Sequence, residues 1–364
     1  MNKFKSIALV ALAAGLFLQS CSNDDDGPSN DPDNGKYTSG IFILNEGKFN
    51  AANADITYYN PSKKVETGVN PIQEIYKKGN GRNLGDVAQS MIFKGNKAYV
   101  VVNNSNRVEV MDNTTFKNVA TISDKVQNPR YITSDSKYIY VSNWGDSQNP
   151  NDDYISLYSI SDNKYEKSIP VLEGPGHIIV DNNKLYVAYE ESGRFGFFGK
   201  SIDIIDLNGS TKTTVNVGDA PTGMVKSGNF LFVLTQGIID WNNNQNSTGG
   251  RLVRIDLANN NNSSTFNFAN TDHPDFLVEK NGFLYYALNK DVYKMAVNAT
   301  NLPTSRLFKS TATSLYGLDV DANSIYVLDA KDFASAGNLA IYNLTGVLQE
   351  DVTTGIGPNS IYVK

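Results

Sequence analysis

From about residue 39 onward, the chain alternates short apolar segments with short polar ones. Inside the apolar segments the side chains alternate with a period of two, as between Tyr154 and Tyr158, which is typical of a half-buried β-strand. Stretches rich in Asn and Asp, such as residues 181–184, are typical of turns. One helical turn is predicted near Ile72 to Lys77. The pattern therefore predicts an all-β fold.

The strand pattern repeats about every 45 residues. Each unit starts with a short apolar strand, continues through a polar turn to an aromatic strand, and adds a third and a fourth strand. The units share a register position, which is a proline in five of the seven and falls at residues 89, 129, 175, 221, 274, 315 and 358. Four strands in about 45 residues is the spacing of a propeller blade.

The two ends of the chain distinguish a closed ring from a stacked solenoid. The chain finishes with a lone first strand at residues 357–363, whereas Ile41 to Asn45 and Asp55 to Tyr59 align with second and third strands. A fourth strand is expected around Val65. Pairing the two ends removes open sheet edges. We therefore predict a seven-bladed β-propeller of four-stranded blades over residues 39–364, whose last blade pairs the C-terminal strand with the N-terminal strands.

The residues before the propeller are predicted to act as a signal peptide and a lipid anchor. Residues 1–20 have the form of a lipoprotein signal peptide, because two lysines precede an apolar run that is too short to span a bilayer. The run ends at Leu18-Gln19-Ser20-Cys21, which resembles a bacterial lipobox with Cys21 as the lipidated residue. Residues 21–38 are rich in Asp, Gly and Pro and are predicted to be a flexible acidic tether.

Composition narrows the possible functions. The chain carries 32 Lys and Arg against 38 Asp and Glu, a net charge of −6, which disfavours a nucleic-acid partner. One Cys and two His exclude a disulfide framework and leave little for a metal site, so neither a metal nor a cofactor is expected. No motif of an enzyme is present. The alternative is a metal-dependent propeller hydrolase or lyase, with Glu46, Asp272 and Asp329 as candidate ligands.

The topology predicts where a ligand would bind. Each first strand starts at one end of the ring, here called the top face, and finishes at the other end, the bottom face. The long loops at residues 46–54, 144–153, 190–200, 236–249 and 330–337 then lie on the top face, which suits binding. Aromatic, amide and basic side chains there suit a flat ligand with a polar rim. The predicted ligand-binding residues are Asn45, Phe49, Arg130, Tyr131, Trp144, His177, Arg194, Phe195, Phe198, Trp241, His273, Phe276, Tyr316, Phe333 and Asn359.

The Tyr-Val strands resemble those of YVTN or YncE-like seven-bladed propellers, over about residues 39–364. The segment from Ile43 to Gly47, the lipobox and the acidic tether together resemble Bacteroidetes surface lipoproteins of the YncE-like class. These include BtuG-type propellers, which bind vitamin B12 and related corrinoids above a TonB-dependent outer-membrane transporter. The resemblance implies a lipid-anchored protein on the outside of the outer membrane, without enzymatic activity, that captures a corrinoid for such a transporter. A glycan or a siderophore is the alternative ligand.

Overall fold

The computed structural model describes residues 36–63, 71–194, 196–209, 211–240 and 246–364. Within these ranges, 27 strands form seven antiparallel sheets. The innermost strands of consecutive sheets contact one another, and the last of them contacts the first. The chain is therefore an all-β, seven-bladed propeller, and the predicted fold class is confirmed.

The blade that closes the ring joins the two ends of the chain. It contains β1 (Ile41–Asn45) between β2 (Asp55–Tyr59) and β27 (Pro358–Val363). The backbones of Gly40 and Lys364 exchange two hydrogen bonds of 2.9 Å at its bottom end. The predicted closure is confirmed, whereas the fourth strand expected around Val65 lies outside the described residues.

The other six blades have four strands each, arranged in chain order from the channel outward. Their innermost strands are β3 (Ala88–Lys94), β7 (Pro129–Ser134), β11 (Pro175–Asp181), β15 (Pro221–Ser227), β19 (Pro274–Lys280) and β23 (Leu315–Val320). The second strands are β4 (Lys97–Val102), β8 (Tyr138–Asn143), β12 (Lys184–Tyr189), β16 (Phe230–Thr235), β20 (Phe283–Leu288) and β24 (Ser324–Asp329). The third strands are β5 (Arg107–Asp112), β9 (Tyr154–Ser159), β13 (Ser201–Asp206), β17 (Arg251–Asp256), β21 (Asp291–Ala296) and β25 (Ala336–Asn343). The fourth strands are β6 (Asn118–Ile122), β10 (Tyr165–Pro170), β14 (Lys212–Asn216), β18 (Asn262–Asn267), β22 (Phe308–Lys309) and β26 (Leu348–Ile356).

Apolar side chains of the strands fill the space between neighbouring blades. Between the closing blade and the first full blade, the core includes Phe42, Tyr58 and Phe116. Tyr37 is only 3% exposed, and its ring centroid lies 4.9 Å from that of Tyr58. Burial of these rings stabilises the contact between the two blades. It also fixes the point at which the chain enters the propeller.

A short helix, α1 (Ile75–Asn80), packs on this core through Ile75 and Tyr76. It begins three residues later than the helical turn predicted near residues 72–77, because Ile72 instead forms a β-bridge with Tyr58. No helix in the described part of the chain is long and apolar enough to cross a membrane.

The long top loops have the predicted positions between second and third strands. One boundary differs, since Ala336 and Gly337 belong to β25 and not to the loop before it. Asp332 Oδ1 accepts the backbone N–H groups of Ala334 at 3.0 Å and Ser335 at 2.7 Å, which closes the turn early. A regular strand thus precedes and follows each top loop.

Candidate functional site

A cavity of about 500 Å³ lies at the top of the central channel and is called the top cavity here. All seven innermost strands contribute to its wall, and Glu46, Glu190 and Glu191 reach it from top loops. A concave, preformed site of this size is the usual form of a small-molecule site. The top cavity is therefore the candidate functional site.

Each of the seven innermost strands has a shift of register at its top end. Such a β-bulge leaves one strand with extra residues that its partner does not pair, and it re-aims their side chains. Six of the residues predicted to bind a ligand sit in these bulges and line the top cavity: Arg130, Tyr131, His177, Phe276, Tyr316 and Asn359. The repeat thus turns the same strand position of every blade towards the channel.

The bulge of β19 holds its aromatic residue in a strained conformation. Phe276 has a φ of 59°, in the left-handed region that bulky residues rarely adopt. Its backbone N–H donates to Asp275 Oδ1 at 2.8 Å. Burial raises the pKa of Asp275 to about 6, and the nearby charge of Glu190 adds to this, while the Phe276 hydrogen bond acts in the opposite direction. Strain of this kind is concentrated at functional sites.

Glu46 bridges the closing blade and its neighbours. Its Oε1 accepts a hydrogen bond from Asn359 Nδ2 at 2.9 Å, and its carboxylate lies 3.4 Å from the Tyr316 hydroxyl. Burial raises the pKa of Glu46, although Asn359, the charge of Arg130 and Tyr316 all oppose this effect. Glu46 is thus held by partners on two inner strands.

Arg130 is the single Lys or Arg among the described residues that line the top cavity. Its Cζ lies 4.1 Å from the centroid of the Trp144 ring, and its Nη2 lies 3.8 Å from Glu191 Oε1. Trp144 Nε1 in turn donates to the Pro175 carbonyl oxygen at 3.2 Å. Trp144 therefore positions the guanidinium group through a cation–π contact.

Tyr131 and His177 form the neighbouring part of the wall. Their rings stack with centroids 3.8 Å apart, and His177 Nδ1 lies 3.8 Å from Glu190 Oε2. Burial raises the pKa of Tyr131 well above its ordinary value, and the charge of Glu190 adds to this. Tyr131 therefore remains a neutral phenol that offers an aromatic face.

Several polar atoms of the cavity wall lack partners within the described ranges. Arg130 Nε, His177 Nδ1 and Asn359 Oδ1 are buried and have no hydrogen-bond partner there. Buried polar groups in native proteins are nearly always hydrogen-bonded, since leaving one unpaired costs about 1 to 3 kcal/mol. Donors and acceptors set in a cavity wall in this way suit recognition of a polar ligand.

Two predicted residues lie exposed in the top loops. Phe49 and Phe333 are 67% and 42% exposed, and the Phe333 ring meets Tyr316 edge-on with centroids 4.8 Å apart. Asn45 is instead buried beside the cavity, where its Nδ2 donates to Thr57 Oγ1 at 3.0 Å. Asn45 therefore joins β1 to β2 and does not line the cavity.

Three further predicted residues have structural contacts in the top loops. Arg194 Nε donates to Glu173 Oε1 at 2.6 Å, and Phe198 forms a β-bridge with Glu191. His273 Nδ1 lies 3.0 Å from the Gln236 carbonyl oxygen. None of these three lines the top cavity. The predicted residues Phe195, Trp241 and Cys21 lie outside the described residues, as do residues 1–35 as a whole.

Sequence reasoning missed most of the acidic lining. Glu190, Glu191, Asp275 and Asp319 all line the top cavity, and Glu46 was considered only as a metal ligand. A usable signal existed, because Asp275 directly follows the register proline, as Arg130 and Asn359 do.

The expected convergence of Glu46, Asp272 and Asp329 on a metal is not observed. Of the three, only Glu46 lines the cavity. Asp329 is buried elsewhere and accepts the backbone N–H groups of Thr313 at 2.9 Å and Ser314 at 2.8 Å. Across the described ranges, no group of three or more His, Cys, Asp or Glu residues is placed to hold a metal ion.

A family model for a domain of unknown function (DUF5074) matches residues 39–345. None of the curated proteins compared with the chain matches it. Among solved structures, a quinonprotein alcohol dehydrogenase-like protein from Bacteroides thetaiotaomicron is 15% identical, with a TM-score of 0.67 over 90% of this chain and 79% of that one. A hypothetical selenium-binding protein from Sulfolobus tokodaii is 10% identical, with a TM-score of 0.68 over 90% and 94% of the two chains. At such low identity these likenesses show the propeller fold alone.

Proposed function

The chain belongs to the DUF5074 family, and from the geometry of its top cavity we propose that it is a ligand-capture protein without catalytic activity. The observation that carries the proposal is the set of seven bulges, which turn polar and aromatic side chains into one cavity. Because rigid blades hold these side chains in place, little conformational entropy is lost when a ligand binds.

For the ligand we propose a corrinoid, on the resemblance to BtuG-type propellers. The macrocycle is flat and carries amide arms, and it would lie across the open end of the cavity. Phe49 and Phe333, exposed in the top loops, offer apolar area for its face. The amide arms would reach the unpaired atoms of Arg130 and Asn359. These contacts combine aromatic area with directional hydrogen bonds.

We further propose that the protein is lipid-anchored at Cys21 on the outside of the outer membrane and delivers its ligand to a TonB-dependent transporter. The path of the chain supports this arrangement, because Gly40 pairs with Lys364 at the bottom face, opposite the top cavity. Because Tyr37 is buried in the core, the tether would end before it, so residues 21–36 would leave from that face and could extend to roughly 55 Å. The open cavity would then face away from the lipid.

The ligand proposal is tested by calorimetry of the whole protein with cobalamin and with cobinamide. We expect one-to-one binding that weakens about tenfold or more in Arg130→Gln, since a buried charged hydrogen-bond donor is lost. Arg306→Gln is the matched control, because Arg306 is exposed and makes one long ion pair of 3.4 Å with Asp291. Absence of heat with both corrinoids would remove the corrinoid from the proposal.

The location is tested separately, by adding protease to intact cells. We expect the protein to be degraded while a periplasmic marker survives. Protection of the protein until the cells are lysed would contradict a surface location.

A further inference from the structure

The top cavity has an excess of negative charge. Among the described residues that line it, five carboxylates face a single arginine, and lysine is absent. The carboxylates belong to Glu46, Glu190, Glu191, Asp275 and Asp319. Taking carboxylates out of water without compensating cations is unfavourable. A ligand that supplies positive charge would relieve this.

The negative charge is unevenly compensated among these carboxylates. Arg130 Nη2 lies 3.8 Å from Glu191 Oε1, and its charge also acts on Glu46. The charge of Glu190 acts on Asp275, and the base beside these two carboxylates is His177, whose Nδ1 lies 3.8 Å from Glu190 Oε2. Asp275 and Glu190 are therefore the carboxylates beside which a positively charged group gains most.

The aromatic lining gives an independent reason for a cation. Phe276, Tyr131 and Tyr316 line the same cavity, and the charge of Asp275 acts on both tyrosines. Aromatic faces attract ammonium groups, above all where water is excluded. Phe276 directly follows Asp275 in the bulge of β19, and its ring packs against the core between this blade and the next. Such a combination of rings and carboxylates suits an organic cation better than a bare metal ion.

An unpaired hydrogen-bond acceptor in the cavity wall also favours a ligand with an ammonium group. Asn359 Oδ1 is buried in the wall and has no donor within the described ranges, while its Nδ2 is occupied by Glu46 and by the Ala88 carbonyl oxygen at 3.0 Å. An acceptor of this kind can be satisfied by a ligand that donates a hydrogen bond. Ammonium groups have donors and no acceptor.

From these observations we infer that the ligand enters the top cavity with a protonated amine or alkylammonium group, which Asp275 and Glu190 hold against the aromatic wall. The inference rests on the proposed ligand-capture function and competes with the corrinoid as its ligand, because the amide arms of a corrinoid carry no ammonium group. A ligand that presents only carboxylate or phosphate groups to Asp275 and Glu190 is excluded, since like charges would be brought together.

The test compares two probes of matched shape, 1,4-diaminobutane and 1,4-butanediol, at equal ionic strength. The readout is the midpoint of thermal unfolding of the whole protein, each variant being referred to its own ligand-free value. We expect the diamine at millimolar concentration to raise the midpoint by about 3 °C, and the diol to leave it unchanged. In Asp275→Asn we expect most of the shift to be lost, because the isosteric amide lacks the charge.

Two more variants keep the test decisive. Glu190→Gln removes the second carboxylate and serves if Asp275→Asn does not fold. Glu166→Gln is the matched control, since Glu166 is exposed on an outer strand far from the channel and should keep the full shift. Equal shifts with diamine and diol, no shift with either, or an unchanged diamine shift in both cavity variants would overturn the inference.

The outcome is separable from that of the corrinoid titration. Corrinoid binding together with equal shifts from diamine and diol would keep ligand capture and remove the amine. A diamine shift without corrinoid binding would keep the cavity as a ligand site and replace the corrinoid by an amine-bearing ligand. Failure of both would remove the proposed function itself.

Discussion

The bottom and top ends of the same inner hairpins differ in what their residues do. At the bottom, Asp135 Oδ1 accepts the backbone N–H groups two and three positions later at 2.7 and 2.6 Å, and Asp135 Oδ2 accepts the Tyr140 hydroxyl at 2.7 Å. Asp321 does the same four blades later, with two N–H groups at 2.7 Å and the Tyr326 hydroxyl at 2.7 Å. These two bottom turns thus hold their hairpins by the same set of hydrogen bonds.

The top ends of the inner strands share the β-bulge, but the side chains in the bulges differ in chemical type. All seven inner strands bulge there, yet the bulged residues include Arg130, His177, Phe276 and Asn359. Three of these leave buried polar atoms unpaired within the described chain, and the fourth is strained. The same hydrogen bonds therefore stabilise the bottom of these two blades, while the residues in the top bulges differ from blade to blade. Departures from locally consistent structure are expected at functional sites.

Breaking a bottom turn should give the largest change in stability with no change in binding. We expect Asp135→Ala to lower the free energy of unfolding by about 2 to 3 kcal/mol, because two backbone donors and one hydroxyl lose a charged acceptor. Urea denaturation measures this, with the exposed Asp162→Ala as the control. A loss below about 0.5 kcal/mol, or weaker ligand binding in the folded variant, would contradict the division between the two ends.

Removing a carboxylate from the top cavity should, in contrast, stabilise the protein. We expect Asp275→Asn to raise the free energy of unfolding at pH 7.5 by about 1 to 2 kcal/mol, because it removes a carboxylate whose charged form burial disfavours. The same denaturation experiment measures it. Destabilisation by this isosteric change would show that the charge supports the fold and is not held for a ligand.

The free energy of unfolding should depend on pH, because several buried carboxyl groups have raised pKa values. Burial raises the pKa of Asp275 and of Asp319 to about 6, above the ordinary value of an unfolded Asp. Between pH 7.5 and 5 the folded state therefore binds protons that the unfolded state does not, so stability rises as pH falls, by about 1 kcal/mol for each group. Buried Asp55 and Asp153, with a pKa raised to about 7, add in the same direction.

Denaturation of the wild type and of Asp275→Asn at both pH values measures this effect. The rise should be smaller in the variant by the share of one carboxyl. Wild-type stability that falls steadily from pH 7.5 to 5 would contradict the expectation.

The smallest predicted effect concerns the backbone of Phe276. Once the ring is removed, glycine should be better than alanine by about 1 kcal/mol, because the left-handed φ of 59° disfavours a Cβ atom. Urea denaturation of Phe276→Gly and Phe276→Ala measures this difference in the free energy of unfolding. At Phe283, an aromatic residue in regular strand β20, alanine should instead be better than glycine. If the glycine and alanine variants ranked in the same order of stability at both positions, the backbone of Phe276 would not be strained.

The fold was predictable because its signals are local and repeated. The register prolines, the alternating strands and the complementary strands at the two ends require a seven-membered closed ring. The position of α1 was missed by three residues, since a bridge between Ile72 and Tyr58 overrides the local pattern.

The candidate site was predictable only in part. Arg130, Tyr131 and Asn359 were found because they directly follow or nearly follow the register position. Asp275 shares that position but was not predicted, because the expected ligand-binding side chains were aromatic, amide or basic. Trp144 was predicted to meet a ligand, whereas it packs on Arg130. A bulge aims side chains through strand register, which composition does not reveal.

The most direct test of the top cavity as a ligand site does not depend on the identity of the ligand. The whole protein and two variants are incubated with an extract of small molecules, washed, denatured, and analysed by mass spectrometry for what each retained. We expect wild type and the bottom-turn variant Asp135→Ala to retain the same compounds, rich in amine groups, and the cavity variant Asp275→Asn to lose them. Retention of the same compounds by all three proteins, or of none by the wild type, would contradict the account.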